Sequence, residues 1–171
     1  MLNLIGQTKY RTSSGEINFN ASTPLEDIDA TNKEVNAILE LESGKFATVM
    51  LIKDFQFRRK LMQEHFNENY MESDQYPKAI FTGIIDNFNS EGSSSEEQKK
   101  PISGEITIHG VKRPLNTTAS IKMGKQTIEI RSDFIIKPED HNIEVPSIVF
   151  KKIAREVKVH VELILRKKSS K

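Results

Sequence analysis

Apolar and polar residues alternate with a period of two along most of this chain, and the final run of this kind is the clearest. Between residues 157 and 165 a valine or leucine occupies every second position, and most of the intervening residues are polar or charged. Successive side chains of a β-strand point to opposite faces of the sheet, so this pattern predicts a strand with one buried face. The same alternation occurs in residues 15–21, 25–31, 35–41 and 128–134. The chain is therefore predicted to be mainly β.

Further strands are predicted where the alternation is less regular. Residues 46–57 form one such segment, and almost every position from 46 to 52 is apolar, which is typical of a strand covered on both faces. We therefore expect the N-terminal segment or a neighbouring helix to pack on its outer side. Short strands are also predicted at residues 9–13, before a turn at Ser14 and Gly15, and at residues 79–85, 106–108 and 115–121.

A helical segment interrupts the strands. Residues 58–74 contain no proline or glycine, and Leu61, Met62, His65 and Phe66 recur at helical spacing. One or two short helices are predicted here, and they end before Pro77 because a residue that precedes proline disfavours helical backbone. A sheet of roughly eight to ten strands with this insertion can cover its apolar face by closing into an up-and-down barrel or by stacking as a sandwich.

Length, composition and charge favour one soluble domain that spans residues 1–171. The polar, serine-rich run at about residues 88–100 is predicted to be a flexible loop, and residues 167–171 a disordered tail. The net charge of +1 gives no basic field of the kind that nucleic-acid-binding proteins carry, so no nucleic-acid partner is expected. No segment approaches the roughly 20 apolar residues that span a bilayer, so no integral membrane segment is expected.

Residue types that perform catalysis or bind metals do not form a recognisable motif. The chain has no cysteine, which excludes disulfides, thiolate metal sites and a cysteine nucleophile. His65 lies near Glu64 and Glu68, but no third ligand follows at a set spacing, so no metal site is predicted. No serine in a nucleophile-elbow context accompanies His109 or His141, so the protein is not predicted to be an enzyme. No glycine-rich phosphate loop is present, so no cofactor is predicted.

Three groups of residues together resemble the YceI-like family of lipocalin-like lipid-binding proteins. The first comprises Phe55-Gln56-Phe57, Leu61-Met62, His65-Phe66, Tyr70-Met71 and Tyr76-Pro77 leading into Phe81-Thr82-Gly83. The second runs from Ile102 through His109-Gly110 to Pro114, and the third from Phe134 through Asp140-His141-Asn142 to Pro146. The resemblance covers residues 15–165. It implies a lipocalin-like antiparallel up-and-down barrel of about eight strands, and a periplasmic or secreted protein.

The resemblance also implies a long-chain apolar ligand, namely an isoprenoid, a quinone-like molecule or a fatty-acyl lipid. An eight-stranded barrel can be filled by its own side chains or can hold one small ligand. Inward positions mix small residues, such as Ala21, Ala30, Ala37 and Ala119, with phenylalanines, and this mixture permits a cavity. The predicted ligand-binding residues are Phe46, Thr48, Met50, Phe55, Phe57, Leu61, Phe66, Phe81, Gly83, Ile106, Ile108 and Phe134.

A polar headgroup would lie at the mouth of the barrel. Arg58 and Arg59, followed by Lys60, begin the helical segment and are the candidates for neutralising a phosphate or carboxylate there. Three adjacent basic residues are, however, more often the solvated start of a helix.

Two other functions are compatible with the sequence. In the first, the barrel is filled by its own side chains and presents a surface, such as residues 93–100, to a protein partner. In the second, the protein is an enzyme that acts on a bound lipid. The sequence is also compatible with a homodimer, and it does not distinguish delivery of a ligand from storage.

Overall fold

In the computed structural model, residues 6–88, 95–146 and 153–168 are described, and they form an antiparallel sheet that closes on itself. The strands of this part of the chain are β1 (Lys9–Asn20), β2 (Asp29–Glu40), β3 (Lys45–Leu51), β4 (Gln56–Phe57), β5 (Lys78–Ile85), β6 (Gln98–Ile108), β7 (Val111–Met123), β8 (Thr127–Ile136) and β9 (Val157–Lys167). A short α-helix, α1 (Lys60–His65), and a π-helical turn, Phe66–Tyr70, lie between β4 and β5.

The first strand closes the barrel, because β1 pairs with β2 along one edge and with β9 along the other. The resulting circuit is β1-β2-β3-β5-β6-β7-β8-β9, and the two-residue β4 pairs with the start of β2 outside it. Closure leaves the strands of the circuit without an open edge that could pair with another chain. The predicted fold class, a mainly β up-and-down barrel with a short helical insertion, is confirmed.

The turn predicted at Ser14 and Gly15 is wrong, because β1 continues through it. The pairing with β2 shifts register on both sides of Gly15, which marks a β-bulge. Gly15 is buried, and a Cβ atom there would collide with Leu163. A glycine inside a strand often marks such a bulge or a close approach of another group.

The single strand predicted for residues 46–57 is also wrong, because β3 ends at Leu51 and a 3-10 turn, Ile52–Asp54, follows. The fully buried Asn32 explains this ending. Its side-chain amide donates to the carbonyl of Leu51 at 3.0 Å, and its Oδ1 accepts from the backbone N–H of Glu34 at 2.8 Å. A side-chain hydrogen bond thus replaces strand pairing where the chain leaves the sheet.

The outer side of β3 is not covered as predicted within the described residues. Leu51 is 44% exposed and Val49 is only half-buried. The helical segment instead lies at one end of the barrel, where it contributes to the wall of a cavity. The N-terminal residues 1–5, the other expected cover, lie outside the described part of the chain.

The predicted flexible loop overlaps a strand at its C-terminal end, because β6 begins at Gln98. At the other end of that range Phe88 is buried, at 7% exposure. Residues 89–94 lie outside the described residues. The tail prediction likewise begins inside β9, which extends to Lys167, and residues 169–171 are not described.

The helical prediction is confirmed as α1 and the π-helical turn that continues it, where the N–H of Met71 donates to the carbonyl of Phe66. Among the described residues, no helix combines the length and apolar character needed to cross a bilayer.

The packed part of the core lies toward one end of the barrel. Tyr10 on β1 pairs with Leu39 on β2, which in turn pairs with Phe46 on β3. Ile85 is opposite Ile102, and Ile128 is opposite Leu165, in the same way. All seven residues are at most 6% exposed. We call this half the closed end, because large side chains from every side meet there.

At the end of the barrel opposite the closed end, His109 connects two turns to residues 72–76, which follow the helical segment. His109 and Gly110 form the two-residue turn between β6 and β7, and both have positive φ, at 52° and 71°. Nδ1 of His109 donates to the carbonyl of His141 at 3.1 Å, and Nε2 lies 2.7 Å from Oε2 of Glu72. The ring of Tyr76 packs on the imidazole at a centroid distance of 4.3 Å. His109 therefore holds residues 72–76 in place.

Replacing Gly104 tests the packing between β5 and β6. A Cβ atom at this position would collide with the backbone of Thr82 and Gly83 and with the ring of Phe81. We expect Gly104→Val to lower the free energy of unfolding by about 1–3 kcal/mol, measured by urea denaturation. Ser103→Val adds a larger side chain to the outward face of the same strand and is the control. Equal effects of the two substitutions would contradict this account.

Replacing His109 tests the connection to Glu72. In His109→Asn the turn becomes Asn-Gly, which suits positive φ at both positions, so the hairpin is expected to persist. The shorter side chain cannot reach Glu72. We expect faster amide hydrogen exchange at Ser73, Gln75 and Tyr76. The control is His160→Asn, which breaks the exposed 2.7 Å pair of His160 with Asp133. Unchanged exchange in the His109 variant would show that the segment is held in another way.

Candidate functional site

An apolar cavity of about 550 Å³ occupies the end of the barrel opposite the closed end. This volume falls within the range of about 300–1,000 Å³ that is usual for small-molecule sites. Inward side chains near the ends of the strands form its wall. They are Ile17, Phe19, Ala21, Ile28, Met50, Ala79, Ile106, Ile108, Phe134, Ile136, Val157 and Val159.

Many of the residues predicted to bind a ligand are in the cavity wall, although their contact with a ligand stays a prediction. The strands contribute Met50, Ile106, Ile108 and Phe134, and the segment from the end of β3 to the start of the π-helical turn contributes Phe55, Phe57, Leu61 and Phe66. The alternation placed the strand residues on the inner face. The spacing within the helical segment placed Leu61 and Phe66 on one stripe.

Four other predicted residues, Phe46, Thr48, Phe81 and Gly83, do not line the cavity. Gly83 pairs with Gly104 across β5 and β6, and a Cβ atom on either glycine would lie within 3 Å of the ring of Phe81. The ring therefore covers both glycines and fills the space that their missing side chains leave. The rings of Phe81 and Phe46 are 6.1 Å apart, so these residues belong to the closed end.

Four phenylalanines, from β1, from residues 55–57 and from the π-helical turn, form an aromatic cluster in the cavity wall. Phe19 on β1 lies 5.1 Å from Phe55, 5.8 Å from Phe57 and 5.4 Å from Phe66 between ring centroids. Phe66 also lies 5.0 Å from Phe57. Aromatic pairs at these distances attract one another beyond simple burial. The cluster therefore fixes the helical segment to the rim and draws its large rings together along one wall.

The cavity is covered by two segments that the strand pattern could not place. The helical segment contributes Met62, His65, Tyr70 and Met71 in addition to Leu61 and Phe66. The chain after β8 contributes Pro138, which begins a 3-10 turn (Pro138–His141), and Ile143, Val145 and Ile153 from the residues that follow it. Helical spacing already pointed to Met62. The wall residues after β8 could not be predicted in this way. They follow no hydrophobic period, because a segment without regular secondary structure has no fixed buried face.

The predicted headgroup residues are separated by the structure. Arg59 lines the cavity and forms an ion pair with Glu26, which also lines it. Arg58 lines a shallow groove on the outer side of the rim, between the turn after β1 and α1. Only Arg59 is placed to meet a polar group at the mouth, and it already has an acidic partner.

Few other polar groups face the cavity. Within the part of the chain that the structure describes, His65 and Tyr70 are the remaining titratable residues of its wall. Partial burial raises the pKa of the Tyr70 phenol above its ordinary value, because the charged phenolate loses hydration there. An apolar chain can lie against such a wall without displacing strongly hydrated charges.

The structure assigns the remaining histidines to structural contacts. Neither His109 nor His141 lines the cavity. Nδ1 of His141 donates to the carbonyl of Val111 at 3.0 Å, so the two histidines fasten adjacent turns. The partners of His109, Glu72 and the carbonyl of His141, are both distant from it in sequence. Within residues 6–88, 95–146 and 153–168, no cluster of three or more metal-ligating side chains is found.

Several solved structures share this architecture at low sequence identity. A polyisoprenoid-binding domain from Saccharophagus degradans, implicated in plant cell wall breakdown, matches with a TM-score of 0.81 at 14% identity, over 95% of this chain and 100% of that chain. BcnA from Burkholderia cenocepacia matches with a TM-score of 0.75 at 15% identity, over 88% of this chain and 95% of that one. Campylobacter jejuni YceI protein matches with a TM-score of 0.64 at 17% identity, over 81% and 84%.

Comparison at the level of sequence families agrees with the fold. No curated protein matches the chain. The model of the YceI-like domain matches residues 8–165, which includes every strand of the barrel except the last two residues of β9. The chain therefore belongs to the YceI-like family.

Proposed function

We propose that this protein binds a long-chain apolar molecule in the cavity and carries it without chemical change. One observation supports this most strongly. The same barrel is packed by large side chains at the closed end and leaves about 550 Å³ bounded by apolar residues at the other. A barrel selected only for stability would be filled along its whole length, because unfilled apolar volume costs stability.

The proposed ligands are isoprenoid, quinone-like or fatty-acyl chains. Each methylene group removed from water contributes about 0.8 kcal/mol, so a chain of modest length can offset the cost of association. An apolar wall distinguishes between such chains only weakly, because one methylene group more or less changes the free energy of binding by about 1–3 kcal/mol. The polyisoprenoid-binding domain with the same fold supports the isoprenoid class first.

A polar end of the ligand would lie toward Arg59 and Glu26. The ion pair between them can open to offer the guanidinium to a phosphate or carboxylate, or the carboxylate to a hydroxyl. A neutral end group would leave the pair intact. We therefore propose Arg59, rather than Arg58, as the contact for a headgroup.

The cellular location and the transport role are proposed on family membership. We infer a periplasmic or secreted carrier. Fractionation of cells that express the native gene, followed by detection of the protein in each compartment, tests the location. Recovery in the cytoplasm would contradict it.

Native mass spectrometry and organic extraction test the carrier function directly. We expect the purified protein to release a stoichiometric long-chain lipid, or to bind added prenyl and acyl chains. If no chain is extracted and none binds, the carrier function is wrong and a protein-interaction role takes its place.

Two alanine substitutions distinguish the cavity from the packed core. Ala79 lines the cavity, whereas Ala119 is fully buried outside it. We expect Ala79→Phe to fill the cavity and to weaken binding of a fluorescent fatty acid at least about tenfold, which corresponds to about two lost methylene contacts. The matched Ala119→Phe is expected to lower the free energy of unfolding by about 1–3 kcal/mol through overpacking. Equal destabilisation with unchanged binding would contradict both the cavity and its use.

A further inference from the structure

Two leucines stand out at the mouth of the cavity. Leu25 is 65% exposed and Leu61 is 63% exposed, whereas the other exposed large apolar residues of the described chain range from 39% to 51%. The two most exposed of these side chains lie on neighbouring segments beside the mouth, the turn after β1 and the start of α1. Each leaves most of its apolar surface in water and adds little to the core.

Local structure holds both leucines outward. Leu25 lies at the tip of the turn between β1 and β2, which is closed by backbone hydrogen bonds between Thr23 and Glu26. Leu61 is in the first turn of α1 and touches the cavity from its rim. The ion pair of Glu26 with Arg59 ties the tip of the turn to the start of the helix. Met62 lines both the cavity and the outer groove that contains Leu25, so it links the two leucines.

Charges of both signs surround this apolar surface. Arg58 and Lys60 flank it on the helical side, and Asp27 and Asp29 on the side of the turn. None of these four residues forms an ion pair within the described ranges. A rim with two free cations and two free carboxylates complements a zwitterionic headgroup layer, which also presents both signs.

We propose that this surface, formed by Leu25, Leu61 and Met62 and hereafter called the docking rim, inserts shallowly into a zwitterionic lipid bilayer so that ligand passes between the membrane and the cavity. Shallow insertion requires only a few apolar tips with polar groups at headgroup level. A stable protein complex commonly uses about 20–30 residues on each side, which three side chains on two segments do not provide. A bilayer also dissolves the apolar molecules that the cavity suits.

Docking extends the proposed function from binding to exchange at a membrane. It rests on that function, because docking serves a purpose only if the protein carries a ligand. Binding to the membrane can nevertheless be measured on ligand-free protein. The two ideas can therefore fail separately.

The first test measures co-sedimentation of ligand-free protein with phosphatidylcholine vesicles. Leu25→Gln removes one apolar tip that does not line the cavity, and we expect it to reduce the partition coefficient about fivefold or more. Leu61→Gln is a second variant, with a reduction of the same order. Ile164→Thr is the control, since Ile164 is 49% exposed on β9 and lies outside the cavity wall and the rim groove. We expect this control to bind like the unaltered protein.

The second test measures transfer of a fluorescent fatty acid from the protein to acceptor vesicles. If the rim docks, the transfer rate rises with vesicle concentration and falls in Leu25→Gln, while the affinity for the probe without vesicles is unchanged.

A transfer rate that does not depend on vesicle concentration, or vesicle binding that the leucine variants leave intact, would overturn the docking inference and leave the carrier function standing. Leucine-dependent vesicle binding by a protein that binds no chain would support docking and defeat the carrier function. A change of oligomeric state in the leucine variants would assign the rim to contacts between copies of the chain instead.

Discussion

The interior of a closed barrel must be filled, and the way in which this protein meets that requirement governs the rest of its structure. Eight strands enclose a space that side chains can just fill or that can hold one small ligand. Here the filling is uneven along the axis. Leu39, Phe46, Ile128 and Leu165 pack the closed end, and Phe81 fills the space over the paired glycines. Beyond this layer the interior is hollow.

The helical segment that covers the cavity is attached to the barrel by both apolar and polar contacts. This combination suits a part of the chain that closes a cavity. The aromatic cluster around Phe66 is apolar and lies on the inner side. The contact of His109 with Glu72 is polar and holds the chain after the helix, and the ion pair of Arg59 with Glu26 holds its beginning. The described residues of α1 and the π-helical turn include none that is fully buried. A segment held at its ends and along one side can shift with fewer lost contacts than a strand of the barrel.

Identities of 14–17% to proteins with the same fold show how little of the sequence this architecture requires. Such divergence is tolerated because many apolar residues can satisfy the same inward positions. The ligand is a separate question. It depends on which inward positions lie near the open end and on how large their side chains are.

The sequence pattern by itself determined that the chain is mainly β and which face of most strands points inward, because a period of two is a local property of the backbone. The choice of a barrel over a sandwich came from the family resemblance. The sequence also located the helical segment and eight residues that line the cavity, among them Met50, Phe57 and Phe134. Only the tertiary structure decided the height of each inward residue along the barrel axis. Phe81 and Phe134 are equivalent in pattern, yet one fills the closed end and the other borders the cavity. Strand register and barrel closure set that height, and the irregular chain after β8 reaches the mouth by contacts that no local pattern encodes.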